Sequence, residues 1–381
     1  MKKEGFICPD AGTLVQTQDN VWAFVPATLP PHIEYTPELV MALSAADTAL
    51  STLSALGRQL PNPHLLILPY TNREAVLSSN IEGTQASMAD LYLDEIEDAP
   101  QVSNDIQEVR NYVHALEHGL QRLREDFPLS LRLVREMHEI LMSNTRGAQR
   151  QPGEFRANQN FIDPPGAALH TATFVPPPVP EMLQGLNNWE VFLHKQGELP
   201  DLIQCALMHV QFETLHPFYD GNGRIGRLMI TLFLIGRDKL SQPLLYLSAF
   251  IEAHKSDYYS LLQGTRTHCA WHEWLMFFLN GVRVVADDAA QQAKDLFDLR
   301  EKFRGQLADQ ANALVVLDAL FFNPYINAKR ATKVLKKSDP TARTTINVLE
   351  EHGILSKVSE KEWGKLYVAR PILEIIERRL D

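Results

Sequence analysis

The stretch HPFYDGNGRIGR, residues 216–227, decides the fold of this 381-residue chain. It contains the G-x-G-x-x-G spacing that cradles a dinucleotide pyrophosphate in doubly wound α/β proteins. That fingerprint must follow a buried strand, but the preceding residues, LPDLIQCALMHVQFETL (199–215), have the apolar spacing of a helix. No strand with a well-placed acid follows, and no G-x-x-x-x-G-K-[ST] occurs. The sequence therefore predicts a helix, a loop and a second helix rather than a dinucleotide fold.

This loop has the composition of an anion site. A glycine-rich turn that leads into a helix at about 222–224 presents backbone N–H groups at the positive end of the helix dipole. Arg224 and Arg227 are three residues apart and share one face of the first turn. Asp220 would repel a phosphate unless a cation such as Mg²⁺ lay between them. His216 can act as a base near neutral pH. The stretch predicts a phosphate cradle with a base and a metal ligand.

These residues resemble the signature of the Fic family, H-x-F-x-[DE]-G-N-G-R-x-x-R, at every fixed position. The resemblance implies a mainly α-helical core with a short β-hairpin flap. It implies an enzyme, a protein adenylyltransferase that moves AMP from ATP to a Ser, Thr or Tyr hydroxyl of target proteins or of itself. In that case His216 deprotonates the hydroxyl and Asp220 binds Mg²⁺. The ATP phosphates would lie against Gly221, Asn222, Gly223, Arg224 and Arg227.

A second motif lies upstream. SSNIEG, residues 78–83, resembles the [ST]-x-x-x-E-[GN] inhibitory motif of Fic proteins, with Ser78 and Glu82 at fixed places. The resemblance implies that Glu82 pairs with Arg227, takes the arginine that should hold the γ-phosphate and so inhibits transfer. We expect this motif on a helix at about 69–97. Taken alone, the same spacing is also typical of a solvated helix face.

Residues 153–176 are similar to the family's target-holding flap, a hairpin that ends at a triple proline. An exposed edge there would align a target peptide by strand addition. The resemblance places Ile162 of this flap and Tyr259 of a later helix beside the nucleotide. Arg266 falls where some relatives place an asparagine against the base, which leaves the adenine contact open.

Apolar spacing of three and four residues predicts helices over most of the chain. We expect an N-terminal helical region (1–100), a catalytic core (101–304) and a winged-helix domain (305–381). Before residue 310, strand signals are sparse. The predicted helices before residue 310 are 36–58, 69–97, 103–125, 129–144, 180–196, 199–215, 223–237, 251–266 and 271–304.

The last 70 residues predict three helices and a two-stranded wing. The first helix is Ala311–Phe322, the second is capped by Asn327, and the third has Asp339 as its N-cap. Strands are expected at 354–358 and 365–369. Between 329 and 343 a single acid accompanies six basic residues: Lys329, Arg330, Lys333, Lys336, Lys337 and Arg343. This predicts a DNA-contacting helix. The alternative is that these residues form a solvated helix face in a dimerisation or docking module. In the dimerisation case the protein would be a homodimer.

Composition limits the partners and the compartment. A net charge of −11 argues against indiscriminate coating of nucleic acid. The apolar run Leu228–Ile235 is too short to cross a bilayer, and the N-terminus lacks the apolar run of a signal peptide. Three scattered cysteines, Cys8, Cys205 and Cys269, fit reduced thiols. We expect a cytoplasmic protein with no membrane partner.

Two other functions stay open on the sequence. A nucleotide-sensing transcription regulator would bind DNA through the winged helix, but such a sensor would not need His216. An enzyme with the same site could instead remove AMP or transfer another phosphate-containing group.

Overall fold

The computed structural model describes residues 3–59, 64–96, 103–147, 149–162, 169–358 and 365–380. It confirms the predicted mainly helical fold. The strands of this part are β1 (Gly12–Gln16), β2 (Trp22–Pro26), β3 (Tyr325–Asn327), β4 (Ser356–Lys357) and β5 (Leu366–Val368). Its α-helices are α1 (Pro37–Gln59), α2 (His64–Ile81), α3 (Met88–Asp94), α4 (Asn104–Arg124), α5 (Leu131–Met142), α6 (Val179–His194), α7 (Asp201–Leu215), α8 (Asn222–Gly236), α9 (Ser248–Ala253), α10 (Lys255–His268), α11 (Trp271–Gln306), α12 (Ala311–Leu320), α13 (Ala328–Leu335), α14 (Asp339–Glu351) and α15 (Arg370–Ile376).

Helices α7 and α8 form the centre of the fold. Every residue of α7 from Leu202 to Leu215 is buried, and α8 is buried through Leu234 except at Gly223. A helix that is buried on all sides must be surrounded by other elements. Helices α6, α10 and α11 pack on α7, while α4 and α5 pack on α8. The loop that joins α7 to α8 is therefore fixed from both ends by the core.

Helix α1 packs lengthwise against α11. In the described part of the chain, α1 is the helix whose length and composition would allow it to cross a membrane. The shorter apolar run Leu228–Ile235 lies within α8.

An N-terminal hairpin was missed by the sequence analysis. Strands β1 and β2 pair antiparallel, with Gly12 opposite Pro26 and Gln16 opposite Trp22. The N–H of Phe24 donates to the carbonyl of Val175 in the flap (2.9 Å). The strand sequences GTLVQ and WAFVP do not alternate apolar and polar residues, so the period of a half-buried strand is not visible in them. The hairpin holds one side of the flap against the body.

Two predicted helices are wrong because each is broken by its turn chemistry. The predicted helix 69–97 is split: α2 ends at Ile81, and Gly83 takes a left-handed φ of 100°. A capping box between Ser87 and Asp90 then begins α3. Glu82 thus lies in the turn after α2, not within a helix. The predicted helix 251–266 is divided at His254 into α9 and α10.

The described C-terminal elements follow the predicted order, with additions. Asn327 caps α13 as expected, since it accepts the N–H of Arg330 (2.8 Å). The predicted N-cap Asp339 is wrong: Ser338 has the extended N-cap backbone, and Asp339 is the first helical residue. Strand β3 and helix α15 were not predicted. The sheet order is β3-β5-β4, antiparallel throughout. Residues 359–364, between the two predicted strands, lie outside the described residues.

The cysteines differ from the expectation of scattered thiols. Cys8 and Cys269 form a disulfide that ties the N-terminal segment to the turn after α10, and Cys205 is a buried free thiol. The two sulfurs are 261 positions apart in sequence, so their pairing could not be inferred from local spacing.

The C-terminal region is joined to the core through a buried asparagine, which generates the first prediction. Asn323 donates to the carbonyl of Tyr92 (3.0 Å) and to Glu95 Oε2 (2.8 Å), and it accepts the N–H of Tyr325 (3.0 Å). We expect Asn323→Ala to lower the free energy of unfolding by about 1–3 kcal/mol, because these groups lose their partners in a buried place. Thermal unfolding measures this, with the exposed Asn280→Ala as control. Equal melting temperatures for the two variants would contradict the prediction.

Candidate active site

The loop between α7 and α8 turns sharply at His216. That residue has left-handed backbone angles (φ 46°, ψ 61°) and its N–H caps α7 at the carbonyl of Phe212 (3.0 Å). Pro217 follows, and a residue before proline is disfavoured in the helical region. Gly221 then takes φ 77° as the N-cap of α8. The imidazole of His216 and the first turn of α8 are therefore six residues apart in sequence and adjacent in the fold.

Phe218 and Asn222 anchor the loop from inside. Phe218 is fully buried and stacks on the His138 ring, with 3.6 Å between ring centroids. The Asn222 side chain accepts the N–H of Phe218 (2.8 Å) and donates to its carbonyl (2.9 Å). The side chain of Asn222 thus shapes the loop. An anion would meet its backbone N–H instead.

His138 and Arg156 fasten the flap to the loop, and sequence reasoning missed both as site residues. His138 Nδ1 accepts the N–H of Gly153 (2.9 Å), so its Nε2–H donates to the carbonyl of Asp220 (3.0 Å). Burial lowers the pKa of His138 to about 4 and keeps it in this neutral form. Arg156 is 1% exposed, and its guanidinium donates to the carbonyls of His216, Asn158 and Pro177.

The catalytic candidate His216 is neutral in this structure. Burial is the main cause that lowers its pKa to about 3, and the charges of Arg266 and Arg156 act in the same direction. Its Nδ1 is buried and has no hydrogen-bond partner among the described residues. A neutral imidazole carries one nitrogen lone pair, and this is the form that accepts a proton.

Arg224 has a counterion that the sequence did not reveal. It is 4% exposed, and its Nη1 lies 3.5 Å from Oε2 of Glu108 on α4, while Nη2 lies 3.4 Å from Asp220 Oδ1. Its Nε and Nη1 make no hydrogen bond within the described part of the chain. Glu108 therefore neutralises and positions a guanidinium that keeps donors for an incoming anion.

Asp220 has one carboxylate oxygen directed into the loop and one left outside it. Oδ1 accepts the N–H of Gly221 (2.7 Å), whereas Oδ2 has Arg150 Nη1 at 3.7 Å. The side chain is 39% exposed. Among the residues described, no group of three His, Cys, Asp or Glu forms a metal centre. A single accessible carboxylate suits a Mg²⁺ that takes its other ligands from phosphates and water.

Arg227 and the upstream motif meet as the resemblance implied. Arg227 Nη2 donates to Glu82 Oε1 (2.7 Å) and to the carbonyl of Ser78 (2.9 Å), and Nε donates to Ser78 Oγ (2.8 Å). The Arg227 side chain is 2% exposed and that of Glu82 is 33% exposed. Burial raises the pKa of Glu82, but the charge of Arg227 and its hydrogen bond more than offset this and lower the pKa overall. Both groups are charged at neutral pH.

Glu82 also lies over the start of α8. A Cβ on Gly223 would overlap Glu82 Oε1, so glycine is needed for the carboxylate to come so close. The N–H groups of the first turn of a helix have no partner within the helix and attract anions. The Glu82 carboxylate therefore lies against the N-terminal turn of α8, beside Gly223.

Two further titratable groups lie beneath the site, and the sequence analysis did not select them. Burial raises the pKa of Glu213 to about 7 and lowers that of His209 to about 3. The Glu213 Oε1 and His209 Nδ1 atoms are buried without a partner among the described residues. Both flank Gly226, where a Cβ would come within 2.7 Å of Glu213. Their spacing on α7 is that of residues facing the core, so the sequence pattern gave no sign that they lie near the site.

The three residues expected near the nucleotide, Ile162, Tyr259 and Arg266, have different surroundings. Ile162 pairs with Phe174 in an isolated antiparallel bridge, which is all the described residues show of the predicted hairpin. Tyr259 is 43% exposed on α10, and burial followed by the charge of Glu82 raises its pKa. Arg266 donates to Thr214 Oγ1 (3.0 Å) and lies over the Phe174 ring at 4.0 Å, so its guanidinium supports the flap.

Sequence comparison finds two adjoining regions of one family. The family description "Fic/DOC family N-terminal" matches residues 40–121, and "Fic/DOC family" matches residues 128–234. The chain is 27% identical over 196 residues to a probable protein adenylyltransferase of Aquifex aeolicus, covering 49% of this chain and 55% of that protein. It is 28% identical over 116 residues to the protein adenylyltransferase Fic of Drosophila virilis, covering 30% and 21%. The chain thus spans about half the length of the Aquifex relative and about a fifth of the length of the Drosophila relative.

Structure comparison gives the same fold. A Fic family protein from Desulfovibrio desulfuricans has a TM-score of 0.59 at 22% identity, covering 90% of this chain and 98% of that one. A Fic domain containing signaling protein from Bacteroides thetaiotaomicron has a TM-score of 0.51 at 18% identity, covering 66% and 97%. At these identities the likeness concerns the fold.

The depressed pKa of His216 generates the second prediction. Because its pKa of about 3 lies below the 6.5 of a free imidazole, the ring stays neutral as the pH falls through 6.5. We expect NMR of ¹³C-labelled histidine, with the His216 signal assigned by His216→Ala, to show no titration of this ring between pH 8 and about 5. Free histidine in the same buffer is the reference. A midpoint near 6.5 for His216 would contradict the prediction.

Proposed function

Because the chain belongs to the Fic/DOC family, we propose that it transfers AMP from ATP to a hydroxyl side chain, either of a target protein or of its own chain. The observation that carries the proposal is the joining of three groups in one buried loop: the neutral His216, the accessible carboxylate of Asp220 and the N-terminus of α8 with Arg224. The adenylyltransferase names of the relatives support the same reaction.

Different residues of the chain act on the proton and on the phosphates during transfer. The target hydroxyl oxygen forms a bond to the α-phosphorus, the bond from that phosphorus to the β-bridging oxygen breaks, and pyrophosphate leaves. His216 takes the hydroxyl proton. The N–H groups of Gly221, Asn222 and Gly223 and the guanidinium of Arg224 stabilise the negative charge on the phosphates, which is the main contribution to such transfers. Phosphates beside His216 raise its low pKa toward the working range of a base.

Asp220 is the residue that would hold Mg²⁺ with the nucleotide. When bound, the ion neutralises phosphate charge that would otherwise be repelled by Asp220. Oδ1 is oriented by the Gly221 N–H, which leaves Oδ2 as the ligand atom. Arg150 Nη1 lies 3.7 Å from Asp220 Oδ2 and offsets the negative charge of the carboxylate when no ion is bound.

The flap would hold the target. Asn160 Nδ2 donates to the carbonyls of His216 (3.3 Å) and Phe218 (3.1 Å), which ties the flap backbone to the catalytic loop. Phe161, next along, is 37% exposed. A target strand added to this edge would bring its hydroxyl to His216, since the flap and the loop are fixed to each other.

The pair Glu82–Arg227 would hold the enzyme in an inhibited state. Nucleotide phosphates need both Arg227 and the space over Gly223, and the Glu82 carboxylate occupies both. Two anions cannot share one site, so ATP must displace Glu82 to bind productively. Ser78 keeps two bonds to Arg227 on the other side, which leaves the arginine in place when Glu82 moves.

The third prediction tests the base. In a Glu82→Gly background, His216→Ala should reduce AMP incorporation into protein by about 10²–10⁴ and leave Mg-ATP binding nearly intact, because the histidine handles a proton rather than a phosphate. Calorimetry with Mg-ATP and labelling with ATP plus cell lysate measure the two properties. The exposed His194→Ala is the matched control. Equal labelling with and without His216 would reject it as the base.

The fourth prediction tests inhibition by Glu82. Glu82→Gly should raise AMP incorporation by about 10²–10³, because a coupling of a few kcal/mol is removed. Glu82→Gln should give a smaller gain, since it removes the charge and keeps the bulk. Arg227→Ala should abolish transfer alone and together with Glu82→Gly.

Ser87→Ala serves as the control for that series, because it loosens the cap of α3 without touching Glu82. An equal gain in this control would mean general loosening rather than a specific pair. A Glu82→Gly variant no faster than the wild type would contradict inhibition by Glu82. Loss of AMP from a modified target in the wild type alone would then favour AMP removal as the activity.

A further inference from the structure

The active site makes no use of the basic cluster in the C-terminal region. There α13 and α14 are joined by three residues, 336–338, with Lys336 in the left-handed region (φ 52°). Two helices joined by a turn of three or four residues form a helix-turn-helix, whose second helix enters the major groove of DNA. Helix α12 precedes this pair, and β4 and β5 follow it as the strands of a wing.

Helix α14 presents two different faces. Ala342, Thr345, Ile346 and Leu349 are buried against the rest of the region. Arg343, Thr344 and Asn347 lie on the outer face and are exposed. Arginine and asparagine are the side chains that form paired hydrogen bonds with guanine and adenine edges in the major groove. An α-helix with its side chains is about 10–12 Å across, which suits a major groove about 12 Å wide.

The surface beside α14 is positively charged. A groove of about 720 Å³ lies between α13, α14 and β5. Four of the residues that line it are basic: Lys329, Lys333, Arg343 and Lys365. Asp339 is the one acid among the lining residues in the described part of the chain. This concentration of positive charge occurs in a protein with a net charge of −11, so it is a local feature.

We propose that residues 311–358 and 365–380 form a winged helix that binds duplex DNA, with α14 in the major groove and Lys329, Lys333 and Lys365 on the phosphates. Asp339 accepts a hydrogen bond from Arg343 Nε (2.6 Å). This bond fixes the direction of the guanidinium before DNA arrives and leaves its terminal nitrogens for a base edge.

The same surface fits other partners poorly. A protein interface has an apolar centre and few lysines, whereas the exposed large hydrophobic residues of this region in the described chain, Val315 and Val358, do not line the groove. Single strands need exposed aromatic rings for stacking, and Tyr367 in the groove is 7% exposed. The deep and narrow major groove of double-stranded RNA excludes a helix. Duplex DNA satisfies the shape and the charge together.

The test uses the full chain and a fluorescently labelled, mixed-sequence DNA duplex, with binding followed by anisotropy as salt is varied. We expect wild-type binding that weakens steeply with salt. The pair Lys333→Ala/Arg343→Ala should weaken binding by at least about tenfold, because it removes one phosphate contact and one base contact. It should reduce the slope of log K against log salt by about 0.9, since Lys333 is the phosphate contact of the pair. Self-labelling with ATP should be unchanged, which separates this surface from the active site.

The control pair, Lys302→Ala/Arg379→Ala, removes the same charge from exposed positions outside the groove. It should bind like the wild type. Absence of wild-type binding, an equal loss in the control pair, or tighter binding of single-stranded DNA or double-stranded RNA would each overturn the proposal.

Discussion

The structure depends on a polar loop held inside an apolar core. Residues 216–221 lie between two buried helices, where an unpaired backbone group costs about 1–3 kcal/mol. Asn222 satisfies Phe218 on both its N–H and its carbonyl. Arg156 and Asn160 donate to the carbonyl of His216, and His138 donates to that of Asp220. Because these partners come from α5, α8 and the flap, the backbone of the loop is held on several sides and the site is preorganised.

If the proposed function holds, inhibition and nucleotide binding use the same groups. The first turn of α8 and Arg227 attract an anion whether it belongs to a phosphate or to Glu82. The N-terminal part of the chain supplies the competing anion from the turn after α2. Lys255 donates to the carbonyl of Ile81 (2.6 Å) and holds the end of that helix in place. In the proposed mechanism, the packing of α2 on α8 therefore sets how readily a phosphate displaces Glu82.

Much of the site could be predicted from sequence because its chemistry is concentrated in consecutive residues. The spacing of 216–227 placed a base, a carboxylate and two arginines at one helix start, and Ser78 and Glu82 were found through their motif. His138, Arg156 and Glu108 were missed because their partners are distant in sequence and their local patterns are those of ordinary core and surface positions. The break at Gly83, the short hairpin β1–β2 and the pairing of Cys8 with Cys269 were missed because turn chemistry and tertiary contacts, not periodicity, determine them.

The most direct measurement is which phosphate of ATP stays on the protein. The Glu82→Gly variant is incubated with Mg²⁺ and cell lysate in two reactions, one with ATP labelled at the α-phosphate and one with ATP labelled at the γ-phosphate. Transfer of AMP predicts α label on protein that is lost on His216→Ala. The γ label, which the kinases of the lysate also produce, should be the same with Glu82→Gly as with Glu82→Gly/His216→Ala. A γ label that depends on His216, or no α label that depends on it, would contradict the account.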